Sequence, residues 1–127
     1  MKISRLAVLT AALLMIFSPS AVVFAGEADV VGVKAIQGKD ETWSFSVTVM
    51  HDDQGWDHYA DRWEVLGSDG EVLGVRVLLH PHVGEQPFTR GMDGVEIPEK
   101  VQKVLVRARD SVHGYGGKEV VVELSGK

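Results

Sequence analysis

From Trp43 to Val49 the apolar side chains fall on every second residue, with Ser44, Ser46 and Thr48 between them. A period of two belongs to a strand with one buried face, because successive side chains point to opposite sides of the chain. The same beat returns where Val104, Val106 and Ala108 are interleaved with Lys103, Leu105, Arg107 and Arg109. Two further β-rich runs, 61–66 and 71–79, flank Gly67-Ser68-Asp69-Gly70, a strong hairpin signal. Val30 to Ile36 reads as a first strand, Phe88 to Met92 as a short one and Lys118 to Leu124 as the last. Pro98 closes the loop before the strand near Val101, and no useful helical stripe follows residue 25.

About seven short strands separated by turn residues predict an all-β fold. The expected form is an immunoglobulin-like antiparallel β-sandwich, with an open barrel as the alternative. Trp43, Phe45, Val47, Trp63, Val65, Val104 and Val106 are the expected inward residues. No internal repeat, linker or low-complexity segment divides the chain, so residues 26–127 are expected to form one domain.

Residues 1–25 carry a different pattern. Lys2 and Arg5 precede an uncharged apolar run from Leu6 to Phe17, broken by Ser18-Pro19-Ser20 and ended by Val23-Phe24-Ala25. This is the grammar of a secretory signal peptide, with cleavage expected after Ala25 and a cut after Ala28 as the alternative. The run is short for a membrane span, which needs about 20 residues. No second apolar run follows, so no membrane anchor is expected after cleavage. A periplasmic or secreted location follows. Roughly 100 residues remain, enough to bury one core.

Cysteine is absent, which removes disulfides, thiolate ligands, cysteine nucleophiles and a lipidated cysteine at the leader junction. Asparagine is also absent, so there is no N-glycosylation acceptor. The formal charge is −5, and it becomes −7 when Lys2 and Arg5 leave with the leader. Nucleic acid is therefore not an expected partner, since it demands a basic face. No nucleophile elbow, phosphate-binding loop or His-Glu-x-x-His motif is present, and no nucleotide or organic cofactor is expected.

The five histidines carry the functional signal. His51 and His58 lie between the second and third expected strands, His80 and His82 between the fourth and fifth, and His113 between the sixth and seventh. In an antiparallel sandwich alternate connections emerge at the same end, so all five imidazoles are expected at one pole. The loops at Gly67–Gly70 and Met92–Glu99 fall at the other. Asp110 stands three residues before His113 in the same region. Imidazoles with a carboxylate suit iron, copper, zinc or nickel. His51, His58 and His113 are the expected core ligands, with His80, His82 and Asp110 as further candidates. A polar loop surface that grips a partner protein or small ligand is the alternative. Oligomeric state is not legible. Arg62, Arg76, Arg90, Arg107 and Arg109 are expected on a solvated sheet face, paired across strands with Glu64 and Glu71.

One set of residues resembles a known family. His51…His58-Tyr59, Trp63-Glu64-Val65, Asp69-Gly70 and Ala108-Arg109-Asp110-Ser111-Val112-His113-Gly114 resemble the iron domain of superoxide reductase, as in desulfoferrodoxin and neelaredoxin. The resemblance implies an immunoglobulin-like sandwich with iron held by imidazoles. It maps His51, His58 and His113 onto ligand positions and Asp110 onto the place of that family's cysteine ligand. The first histidine pair is spaced by seven instead of six, and no proline follows His51. Thiolate donation is central to that family's reaction, so its activity does not simply carry over with the pattern, and whether the chain is an enzyme of that kind stays open. The sulfur-carrier subunit SoxZ is similar in architecture. The stretch from His80 to Arg90 is similar to uncharacterised secreted bacterial proteins.

Overall fold

The structure, a computed structural model, describes residues 26–124. The expected leader, residues 1–25, lies outside the described residues. Eight strands follow in order: β1 (Asp29–Gln37), β2 (Trp43–Met50), β3 (Ala60–Leu66), β4 (Val72–Val77), β5 (Phe88–Val95), β6 (Lys103–Asp110), β7 (Gly114–Tyr115) and β8 (Val120–Glu123). Every pairing is antiparallel. One sheet has the order β1-β2-β5; the other runs β4-β3-β6, with β7 and β8 both paired to β6. No helix occurs among the described residues, and so none there is long and apolar enough to cross a membrane.

The alternation places the core where the sequence predicts it. Trp43, Phe45, Val47 and Val49 of β2 and Trp63, Val65, Val104, Val106 and Ala108 of the other sheet are buried in one cluster. All seven residues expected to face inward do so. The 67–70 turn closes the β3–β4 hairpin: Gly67 N–H donates to Glu71 O (2.8 Å), and Gly70 adopts φ 86°. That left-handed conformation suits glycine.

Four elements differ from expectation. β5 runs on to Val95, because its second half pairs with β2 up to Trp43 although Gly91 and Gly94 dilute its strand pattern. β4 and β8 are shorter than expected. β7 is an additional two-residue strand, formed where Gly114, at φ 79°, folds Tyr115 back beside Arg109. A side-chain cluster holds it there. Tyr115 Oη donates to Glu64 Oε2 (2.9 Å), Arg107 pairs with Glu64 Oε1 (2.6 Å), and the Arg107 guanidinium lies 3.9 Å from the Tyr115 ring centre. Arg109 pairs with Asp61 (2.5 Å).

Candidate metal centre

The β2–β3, β4–β5 and β6–β7 connections meet at one end of the molecule. Their contacts include His51 N–H to Gln86 Oε1 (3.0 Å), His82 N–H to Asp53 Oδ2 (2.8 Å) and Ser111 N–H to Tyr59 O (2.9 Å). All five histidines lie on these connections, as expected from the strand count.

The alternation that builds the core also aims two of the polar residues. On β2, Trp43, Phe45, Val47 and Val49 face inward, and His51 takes the next inward place, just beyond the strand. On β6, Val104, Val106 and Ala108 face inward, and Asp110 takes the next inward place. His51 is 3% exposed and Asp110 is fully buried. His58 arrives from the β2–β3 loop. Its ring centre lies 4.9 Å from that of His51 in an edge-on arrangement.

His51, His58 and Asp110 each offer a ligand atom within 4.8 Å of the other two, so the group could hold a metal ion. Metal–ligand bonds of about 2 Å keep any two donors within about 4 Å of each other. Small side-chain rotations would therefore have to draw the widest pair inward.

Asp110 uses its two oxygens unequally. Oδ2 accepts from His58 Nε2 (2.8 Å), Val112 N (3.1 Å), His113 N (3.0 Å) and His113 Nδ1 (3.0 Å). The two backbone bonds make Asp110 the cap of its own turn, which is why a three-residue spacing brings His113 back beside it. Oδ1 is buried and has no hydrogen-bond partner among the described residues. A buried carboxylate oxygen left bare is costly. A cation there would satisfy it, so the donor set fits a metal on this ground as well as by type.

His51 is held at both nitrogens. Nδ1–H donates to Asp53 Oδ1 (2.6 Å), and Nε2–H donates to Gly26 O (2.8 Å). Both partners only accept, so the ring carries two protons in this arrangement. Burial pushes the His51 pKa down, but the bonds to Asp53 and Gly26 outweigh it and leave the value raised. A carboxylate on Nδ1 is also the usual outer partner of a metal-binding histidine, fixing which nitrogen faces the ion.

Asp53 is the residue that the sequence does not single out. It is 3% exposed, and besides His51 it accepts from Ala60 N (2.9 Å) and His82 N (2.8 Å), tying three segments together. Its sequence signal is faint, an inward polar residue two places after His51.

Of the remaining candidates His113 borders the trio, and His80 and His82 sit apart from it. His113 touches Asp110 from the rim, with its side chain 37% exposed. His82 is buried, stacks on Phe88 with ring centres 4.0 Å apart, and accepts from Arg90 Nη2 at Nε2 (2.8 Å). Its Nδ1 is buried without a hydrogen-bond partner among the described residues. Burial and the Arg90 charge push the His82 pKa down. His80 is exposed, 4.7 Å from the His82 ring, and donates from Nδ1 to Pro81 O (3.1 Å).

The chain is similar to a protein of Halomicrobium mukohataei named "Putative lipoprotein". The two are 46% identical over 97 residues, which is 76% of this chain and 47% of the relative. The chain thus spans about half the length of the curated relative it matches. No protein-family model matches the chain, and no solved structure matches it.

Two of the buried carboxylates, Asp53 and Asp110, make the metal-free fold sensitive to acid. Burial pushes the Asp53 and Asp110 pKa values up. The bonds from His51, His82 N and Ala60 N, and those from His113, Val112 N and His58, outweigh it and hold both below the ordinary 3.8. A lowered folded-state pKa contributes stability that is present above the unfolded value and lost as pH falls through the folded one. His51 is raised and His82 lowered, so their contributions around pH 6.5 have opposite signs. The urea midpoint in EDTA should therefore fall steeply below about pH 4. Asp53→Asn should make that acid limb shallower, and an unchanged limb would assign the acid sensitivity elsewhere.

Proposed function

We propose that the chain is an exported, immunoglobulin-like β-sandwich protein that binds one transition-metal ion between His51, His58 and Asp110. In this reading residues 1–25 are a signal peptide and residues 26–127 the mature domain, periplasmic or secreted. The observation that carries the metal reading is the convergence of two imidazoles on a buried carboxylate whose Oδ1 has no partner among the described residues. The donor set suits iron, copper or zinc. Asp53 would orient His51 from behind, and His113 would support Asp110 from the rim. A bound ion supplies Lewis acidity and, for iron or copper, one-electron chemistry. The relative's lipoprotein name supports export of this chain. Lipid attachment does not carry over, because the chain has no cysteine.

The superoxide-reductase resemblance is the finer form of the same reading. Its support is that His51, His58, Asp110 and His113, the matched positions, form one contact network. With Asp110 in the cysteine place the ion gains a carboxylate and loses thiolate donation, so this chain is read as a metal-binding protein rather than a reductase.

A second reading is favoured by the apolar rim. Trp56, Leu79, Val83 and Val112 lie on the histidine-bearing loops and are 67, 75, 61 and 57% exposed. Exposed apolar groups around a polar site suit a periplasmic partner protein. The deciding experiment is titration calorimetry of EDTA-stripped mature protein with Zn(II), Co(II) and Cu(II). The metal reading expects one ion per chain, displaced by EDTA. If binding is no tighter than to a His51→Ala/His58→Ala double variant of unchanged circular dichroism, the metal reading is wrong and the partner reading stands.

A further inference from the structure

We infer that the main chain of Gly26 is a further ligand of this site, and that the site is completed only when the chain is cut between Ala25 and Gly26. The inference rests on the metal reading and on the signal-peptide reading above. The Gly26 carbonyl oxygen lies 2.8 Å from His51 Nε2, the ring nitrogen that faces away from Asp53. Two donors of about 2.1 Å at right angles around one ion stand roughly 3 Å apart. A metal on the Nε2 lone pair would lie along this hydrogen bond, so once the Nε2 proton has left the carbonyl has to pivot off that line to become a neighbouring ligand at roughly 3 Å.

The segment that delivers this carbonyl is built into the fold. Ala28 is a core residue, 1% exposed. Lys118 N–H donates to Asp29 Oδ1 (2.8 Å), and Val30 N–H donates to Lys118 O (2.9 Å). A Cβ on Gly117 would lie 2.0 Å from Ala28 O, and one on Gly116 would lie 2.8 Å from Glu27 Cγ. The consecutive glycines are what let residues 27–29 pass so close. The strap is thus clamped by 116–118 and ends at His51. A cut after Ala28 would discard both the carbonyl and a core residue, whereas a cut after Ala25 keeps both.

The cut also changes the chemistry of Gly26. While Ala25 is attached, the Gly26 nitrogen is an amide whose lone pair is delocalised into the carbonyl, and it is a poor donor. After cleavage it is a primary amine. Amine nitrogen and carbonyl oxygen of one residue close a five-membered ring on a metal ion, so Gly26 passes from one donor to two. Processing would then switch on full metal affinity only after export.

The test compares one preparation before and after a single cut. A tagged protein is made with a protease site whose cleavage leaves Gly26 as the first residue. Among the described residues the buried core lies between Ala28 and Leu124, and the cut removes none of these. Zn(II) and Cu(II) are titrated calorimetrically into both forms and into cut protein acetylated at the Gly26 amine. Affinity should rise about tenfold or more on cutting, as expected for a second donor tethered beside the first. Acetylation should return it to the uncut value, and the thermal midpoint in EDTA should be the same in all three. Equal His51-dependent affinity in the cut and uncut forms would overturn this inference and leave the metal reading intact. Absence of His51-dependent binding in every form would overturn both.

Discussion

Trp63→Ala is expected to lower the unfolding free energy by roughly 3–5 kcal/mol, the range for emptying a buried aromatic site. Trp63 has no exposed surface and sits on β3, the strand flanked by β4 and β6. Its cross-strand partner on β6 is Ala108, a small residue that leaves room for the indole. Alanine at 63 would place two small side chains opposite each other in the core. The indole Nε1 has no hydrogen-bond partner among the described residues, so the loss there is one of packing and burial, with none of their polar groups stranded by the change. Trp56→Ala is the control. That side chain is 67% exposed, and its removal should stay within about 0.5 kcal/mol. Urea unfolding followed by far-ultraviolet circular dichroism measures both. Similar losses in the two variants would mean that Trp63 is not the centre of the core.

The strand alternation made the core legible because a half-buried sheet needs only a period of two. Trp43 to Val49 and Val104 to Ala108 carried that signal without interruption. β5 was legible only to Met92, since Gly91 and Gly94 are poor strand residues and the pairing that extends it comes from β2. β7 was not legible, because Gly114 and Tyr115 form a strand only through contacts with Arg109 and Glu64. The gathering of the histidine loops followed from strand parity alone. The composition of the closest trio did not. Loop residues are oriented by hydrogen bonds between segments, and Asp53 links residues 51, 60 and 82 in a way no local spacing reveals. One clue was nonetheless present. Continuing the inward beat of each core strand by one step reaches His51 on one sheet and Asp110 on the other, and that step separates them from His80 and His113.

Asp110→Asn is expected to weaken metal binding by about a hundredfold or more, the high end of what loss of a metal-site partner costs. The amide is nearly isosteric with the carboxylate. Its oxygen, placed where Oδ2 now lies, can still accept from Val112 N and His113 N and keep the turn closed. What disappears is the negative charge and the bare Oδ1, leaving two imidazoles that cannot close a coordination shell alone. The charge that His58 Nε2 and His113 Nδ1 bond to at Oδ2 is lost, so metal-free stability should also fall by about 1–3 kcal/mol. The two effects separate experimentally: calorimetric titration with Zn(II) reads the first, and the urea midpoint in EDTA reads the second. His113→Ala should be milder on binding than Asp110→Asn, because its ring flanks Asp110 and His58 from a solvent-facing rim. A variant folded like the parent that keeps full Zn(II) affinity without the Asp110 charge would remove the carboxylate from the site. The histidine pole would then be a hydrogen-bonded corner of the fold and not a metal centre.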